Sequence, residues 1–181
     1  MKKLLVLLFS ILISLNSYAE KLNNLFGMNI NDNANKYFSS DFIDSNKYRH
    51  KETLDGYFTL NITNQIKQKS PYASKYKINI DSDNRIQGIL GFESTSNINT
   101  CREIQKDLSN ALEVKYQINF ESWEDSIPAF KKYQNFYWNT SGGIFSVQCT
   151  DSYTDNTSFL QIYMLSLVMQ NAMNEYYDSG L

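Results

Sequence analysis

The sequence predicts an α+β domain: antiparallel β-meanders packed against a capped helix at about residues 101–115 and a C-terminal helix, with one disulfide. Three observations carry that expectation. Residues 75–81 alternate, with Tyr76, Ile78 and Ile80 on one side and Lys75, Lys77, Asn79 and Asp81 on the other, before the turn residues Asp81-Ser82-Asp83-Asn84. Thr100 and Glu103 have the spacing of a capping box, and Ile104, Leu108, Ala111 and Leu112 follow at helical intervals. A second pair of strand-like segments, 133–139 and 144–150, flanks the turn Thr140-Ser141-Gly142-Gly143.

The N-terminus reads as an address. Met1-Lys2-Lys3 precedes a twelve-residue stretch, Leu4 to Leu15, broken only by Ser10 and Ser14, and then Ser17-Tyr18-Ala19. A basic start, a short apolar centre and small residues at −3 and −1 are the parts of a secretory signal peptide, expected to be cleaved after Ala19. A helix of that length covers about 18 Å, short of the ~30 Å hydrocarbon layer, so no transmembrane anchor is expected after cleavage. Residues 20–181 then form one domain of 162 residues, and loss of Lys2 and Lys3 takes the formal charge from −2 to −4. The 21 Asn against 6 Ala are the bias of an A+T-rich genome, which favours a bacterial periplasm or secretion from it over a eukaryotic route. An acidic balance gives no basic face for nucleic acid.

Within that domain the elements are expected in the following order. Asp32 is placed to cap a short helix that carries Tyr37 and Phe38 inward. Residues 39–55 are polar, lack a period and read as a loop. Phe58, Leu60 and Ile62 mark a first strand; residues 75–81 and 85–92 form a hairpin with Ile86, Leu90 and Phe92 in phase. The helix from Cys101 comes next. Residues 117–132 are irregular, with Ser122-Trp123-Glu124-Asp125 placed to cap a short helix and Pro128 limiting it. The second hairpin puts Phe145, Val147 and Cys149 on one face. Residues 158–165 form a last strand, and Val168, Met169, Ala172, Met173 and Tyr176 a last helix. Three strands and a helix therefore occur twice, without a shared residue pattern.

Cys101 and Cys149 are the only cysteines. An even count in an exported chain favours a disulfide, and two thiols alone are short of the four soft ligands of a zinc site. Cys149 lies on a core face and Cys101 begins the helix that should cover that core, so the two placements agree.

Candidate chemistry is sparse, and no catalytic residue, metal or cofactor is assigned. Asp81 and Asp83 start like a calcium loop, but Arg85, Ile86 and Phe92 occupy ligand and glycine positions, which leaves a hairpin turn. His50 lies between Arg49 and Lys51 with no nucleophile in view. Glu121, Glu124 and Asp125 around Trp123 have the residue types of a carboxylate hydrolase acting on carbohydrate or envelope substrates. Tyr133, Phe136, Tyr137 and Trp138 crowd one strand, so rings must project from both faces. Tyr133, Tyr137, Trp138 and Trp123 are therefore the expected binding residues, because such rings offer large area with few rotors to freeze. The functional expectation is an exported, non-catalytic binding or interaction module of the bacterial envelope, with an envelope protein or small ligand as partner. A carboxylate hydrolase and a self-associating structural component are the alternatives.

Overall fold

Tyr76, Ile78 and Ile80 are all buried and alternate with half-exposed Lys77 and Asn79, as the period of two requires. The computed structural model describes residues 24–49, 54–127, 130–139, 143–153 and 157–178. The leader, His50, Pro128 and Gly142 lie outside the described residues. The fold is α+β. A two-stranded sheet of β1 (Asn24–Leu25) and β2 (Met28–Asn29) precedes a 3-10 turn at Ala34–Lys36 and helix α1 (Ser40–Asn46). Then come β3 (Tyr57–Asn61), β4 (Lys75–Asp81), β5 (Ile86–Thr95) and helix α2 (Ile98–Tyr116). The chain continues with β6 (Glu121–Ile127), β7 (Phe130–Asn139), β8 (Gly143–Ser152), β9 (Thr157–Ser166) and helix α3 (Leu167–Asp178). The seven later strands form one antiparallel sheet in the order β3-β4-β5-β9-β8-β7-β6. Two meanders thus meet where β9 returns to pair with β5.

The sheet has two unlike faces. On one, α2 lies over β8 and β9, while β1, β2, the 3-10 turn and α1 cover β3 to β5 around Ile43, Leu60, Ile78 and Ile89. Gly91 lets the N-terminal segment approach: a β-carbon there would fall 2.6 Å from the Phe26 ring, which packs edge-on to Tyr76 at 4.9 Å between centroids. On the other face α3 covers one end only, where Met169 and Met173 meet Ile144 and Leu165. At the β3 edge, Tyr48 donates to and accepts from Thr59 at 3.0 Å each way.

The disulfide joins Cys101 to Cys149, both fully buried, and ties the first turn of α2 to β8. One helical turn later, the buried Gln105 amide donates to the Tyr133 carbonyl at 2.7 Å and the Val147 carbonyl at 2.8 Å. The helix is longer than its apolar spacing indicates. Its cap is Asn97, whose side chain accepts from the Thr100 N–H at 2.9 Å, so Thr100 lies inside the first turn.

Four other local expectations differ from the fold. Residues 40–46 form α1, capped by Ser39; seven residues burying only Ile43 completely are too few to display a period. Asn33, not Asp32, caps the 3-10 turn, and Asp32 instead accepts from Lys36, Tyr37 and Asn29. A bulge pairs Ile80 with Ile86 but Asn79 with Gly88, so Ile89 joins Ile86 in the core and Leu90 and Phe92 turn to the other face. Residues 121–127 are the edge strand β6. Its described side chains are mostly exposed, so no apolar alternation announces it, and its pairing with β7 defines it. Asp81 is committed to the β4–β5 turn, where its carboxylate accepts from the backbone N–H of Asp83 at 3.0 Å and of Arg85 at 2.9 Å.

Two predictions follow from these contacts. Replacing both Cys101 and Cys149 with Ser opens a link of 48 residues in sequence separation and should lower unfolding free energy by about 4 kcal/mol, read from urea denaturation of each form. The Lys36 ammonium, then the Tyr37 hydroxyl, hold the Asp32 carboxyl below the ordinary carboxylate range. That stabilisation is present above the unfolded value and lost as pH falls through the lower folded one. Asp32→Asn should therefore reduce the melting temperature at neutral pH, with the difference from wild type closing below about pH 4.

Candidate functional site

The β6–β7 hairpin carries all four ring residues expected to bind. Residues paired across an antiparallel ladder project to the same face. Glu124 faces Tyr133 in register, and Trp123 faces Gln134, so adjacent residues on β6 belong to opposite sides. Tyr133 and Tyr137 point to the α2 face and pack against the main core. Trp123, Phe136 and Trp138 point to the α3 face, where the two tryptophans are 47% and 46% exposed. The structure therefore divides the four into two pairs on opposite faces.

On the α2 face the hairpin extends sideways past the helix. The Arg102 guanidinium stacks 4.3 Å from the Tyr133 ring centroid, with Lys131 Nζ at 4.7 Å from the same ring. Both cations reach Glu124, at 3.7 Å and 3.4 Å. These pairs are exposed enough to contribute little to stability. Beside them Asn99, Arg102, Glu103, Gln105, Lys106 and Asn135 line a cleft of ≈ 550 Å³. Asn135 is held in place there, donating to Ser109 Oγ at 3.0 Å and accepting from Ser122 Oγ at 3.1 Å.

The α3 face presents a different chemistry. Following the pairing outward from β6, one straight line across four strands reads Trp123, Gln134, Gln148, Gln161. Gln148 is 6% exposed and donates to Gln161 Oε1 at 2.8 Å and to Thr150 Oγ1 at 3.0 Å. Gln134 Nε2 donates to the Tyr163 hydroxyl at 2.9 Å. Burial, partly offset by a hydrogen bond with Ser146, raises the Tyr163 phenol above its ordinary value and keeps it a neutral partner. Lys132 is opposite Asp125 on one side and Thr150 on the other, half-buried. Desolvation lowers its ammonium, and the Asp125 charge opposes that shift. Phe136 and Trp138 meet edge to face at 6.0 Å between centroids.

The carboxylates are dispersed by the same register. Glu121 is opposite Phe136 and faces α3, whereas Glu124 is opposite Tyr133 and faces α2, between two cations. Two carboxyls that share a glycosidic bond must flank it at about 5–10 Å. Glu121 and Asp125 do share a face, but four residues of strand separate their backbones by about 13 Å.

The sequence alone did not single out the glutamine line, since its members lie on three strands and only register aligns them. One trace was available: Gln134 and Gln148 are equidistant from the middle of the turn between β7 and β8, as a hairpin pair must be.

Stability separates the two ring pairs. Changing Tyr133 and Tyr137 together to Ser should cost about 2–4 kcal/mol in urea denaturation, because both pack on the core. Trp123→Ala should remain within about 0.5 kcal/mol of wild type, because its indole is about half exposed at the sheet edge. No protein-family model matches this chain, and no curated protein matches it.

Proposed function

We propose that the chain is an exported, non-catalytic binding module of the bacterial envelope that engages its partner through the α3 face of the β6–β7 hairpin. The carrying observation is the exposure of Trp123 and Trp138 on one face, at 47% and 46%, on strands that need neither ring for the core. Indoles half in water on a sheet that is already paired along β7 are an unusual expense unless a partner covers them. Export is supported by the basic-apolar-small leader of residues 1–19. The buried Cys101–Cys149 bridge is compatible with it, since such bonds persist in oxidising compartments. No helix among the described residues is long and apolar enough to cross a membrane. The hydrolase reading lacks a paired carboxylate geometry, with Glu121 and Glu124 on opposite faces.

The test is cross-linking in intact cells with a C-terminally tagged chain, followed by mass spectrometry of what remains attached. The double variant Trp123→Ala, Trp138→Ala should keep its melting temperature within a few degrees and lose the cross-linked material. Full retention of that material by the double variant would remove this reading.

A further inference from the structure

The line of glutamines says what kind of molecule the face would accept, an inference that rests on the binding reading above. Its amides are held by hydrogen bonds, Gln148 to Gln161 and Gln134 to Tyr163. The Gln161 carbonyl is taken by Gln148, which leaves the Gln161 NH2 group facing outward without a hydrogen-bond partner among the described residues. The Gln134 NH2 group donates to Tyr163, and its carbonyl oxygen has no partner among the described residues. One acceptor and one donor therefore stand two strands apart, about 10 Å between backbones, a spacing set by the register of β7, β8 and β9.

We propose that this face binds a neutral oligosaccharide, with Trp123 as a stacking platform and the Gln134 carbonyl and Gln161 amide exchanging hydrogen bonds with ring hydroxyls. Three features select that chemistry. The line itself carries no formal charge: Lys132 and Asp125, opposite one another in register, and Glu121 lie two residues off it, and Lys77 lies beyond Phe92, over whose ring its ammonium sits. A hydroxyl both donates and accepts, which suits a surface offering one free acceptor and one free donor, whereas a carboxylate or an ammonium would leave one of them unanswered. The flat C–H face of a sugar ring matches an indole plane. Trp123 borders Gln134 across the ladder, while Trp138 lies four residues along β7, placing a second plane about 14 Å away by backbone.

The line also runs perpendicular to the strands. Backbone groups of β7, β8 and β9 are consumed by the ladders on both sides, so a ligand lying across them reads side chains only. An extended peptide would instead pair with the outer edge of β6. The geometry thus favours a glycan over a peptide.

Envelopes isolated from the source organism serve as the probe, in a sedimentation assay with the mature chain. Samples are left untreated, digested with protease, or oxidised with periodate, which cleaves vicinal diols. Retention should survive protease and disappear after periodate. Trp123→Ala and Gln134→Ala, each checked for an unchanged circular dichroism melt, should weaken retention about tenfold or more. Loss after protease, or survival through both treatments, overturns the glycan assignment while the binding reading stands. Absence of retention by the wild-type chain, or equal retention by both variants, overturns the assignment and the binding reading together.

Discussion

The position of α2 governs the rest of the molecule. A seven-stranded antiparallel sheet must have its apolar face covered, and a single long helix, linking β5 to β6, has to cover the half built from β7, β8 and β9. The Cys101–Cys149 bond and the Gln105 amide, one turn apart, fasten that helix to β7 and β8 by a covalent link and two hydrogen bonds, one of them buried. Gln105 would be costly to bury unpaired; with both hydrogens used, it specifies where along the strands the helix sits. Placing α2 over β8 and β9 leaves β6 and the outer side of β7 projecting beyond it. The exposed rings of Trp123 and Trp138 lie on the opposite face, of which α3 covers the end around Ile144 and Leu165.

The elements legible in the sequence are those whose burial is one-sided. Residues 75–81 and the second hairpin alternate because one face meets the core, and the disulfide was readable because both cysteines fell on core-facing positions. What escaped is what local pattern does not encode. Strand β6 is exposed on both faces, so it lacks an apolar period. The bulge at Asn79 and Ile80 reverses the phase of Leu90 and Phe92, a consequence of pairing rather than composition. The Asn97 cap was hidden by a second capping signal three residues later, at Thr100. The same distinction applies to the site: the four rings were visible as residue types, but their division between faces and the glutamine line depended on a register that adjacent strands decide together.

The two faces of the hairpin are chemically distinct. On the α2 side, Arg102 and Lys131 hold Glu124 beside Tyr133. On the α3 side, Lys132 and Asp125 are opposed in register, Glu121 lies opposite Phe136, and Lys77 sits over Phe92, with amides, hydroxyls and rings between them. A single two-residue period on β6 and β7 thus separates a face where two cations hold Glu124 from one where a line of amides runs between the charged positions, so the two need not bind the same class of molecule.

The Tyr48–Thr59 pairing has a consequence for how copies of this chain can associate. An antiparallel sheet with two bare edges is a template for unlimited growth, each new chain presenting the edge that the next one needs. Here Tyr48 occupies both backbone groups of Thr59 in the middle of β3, so a strand added at that margin would have to displace it. Among the described residues, no strand pairs with the outer side of β6. Molecules joined there would be related by a twofold axis, and the outer margins of the pair would be two β3 strands. Growth beyond the pair would require displacing Tyr48 from Thr59 at each outer margin.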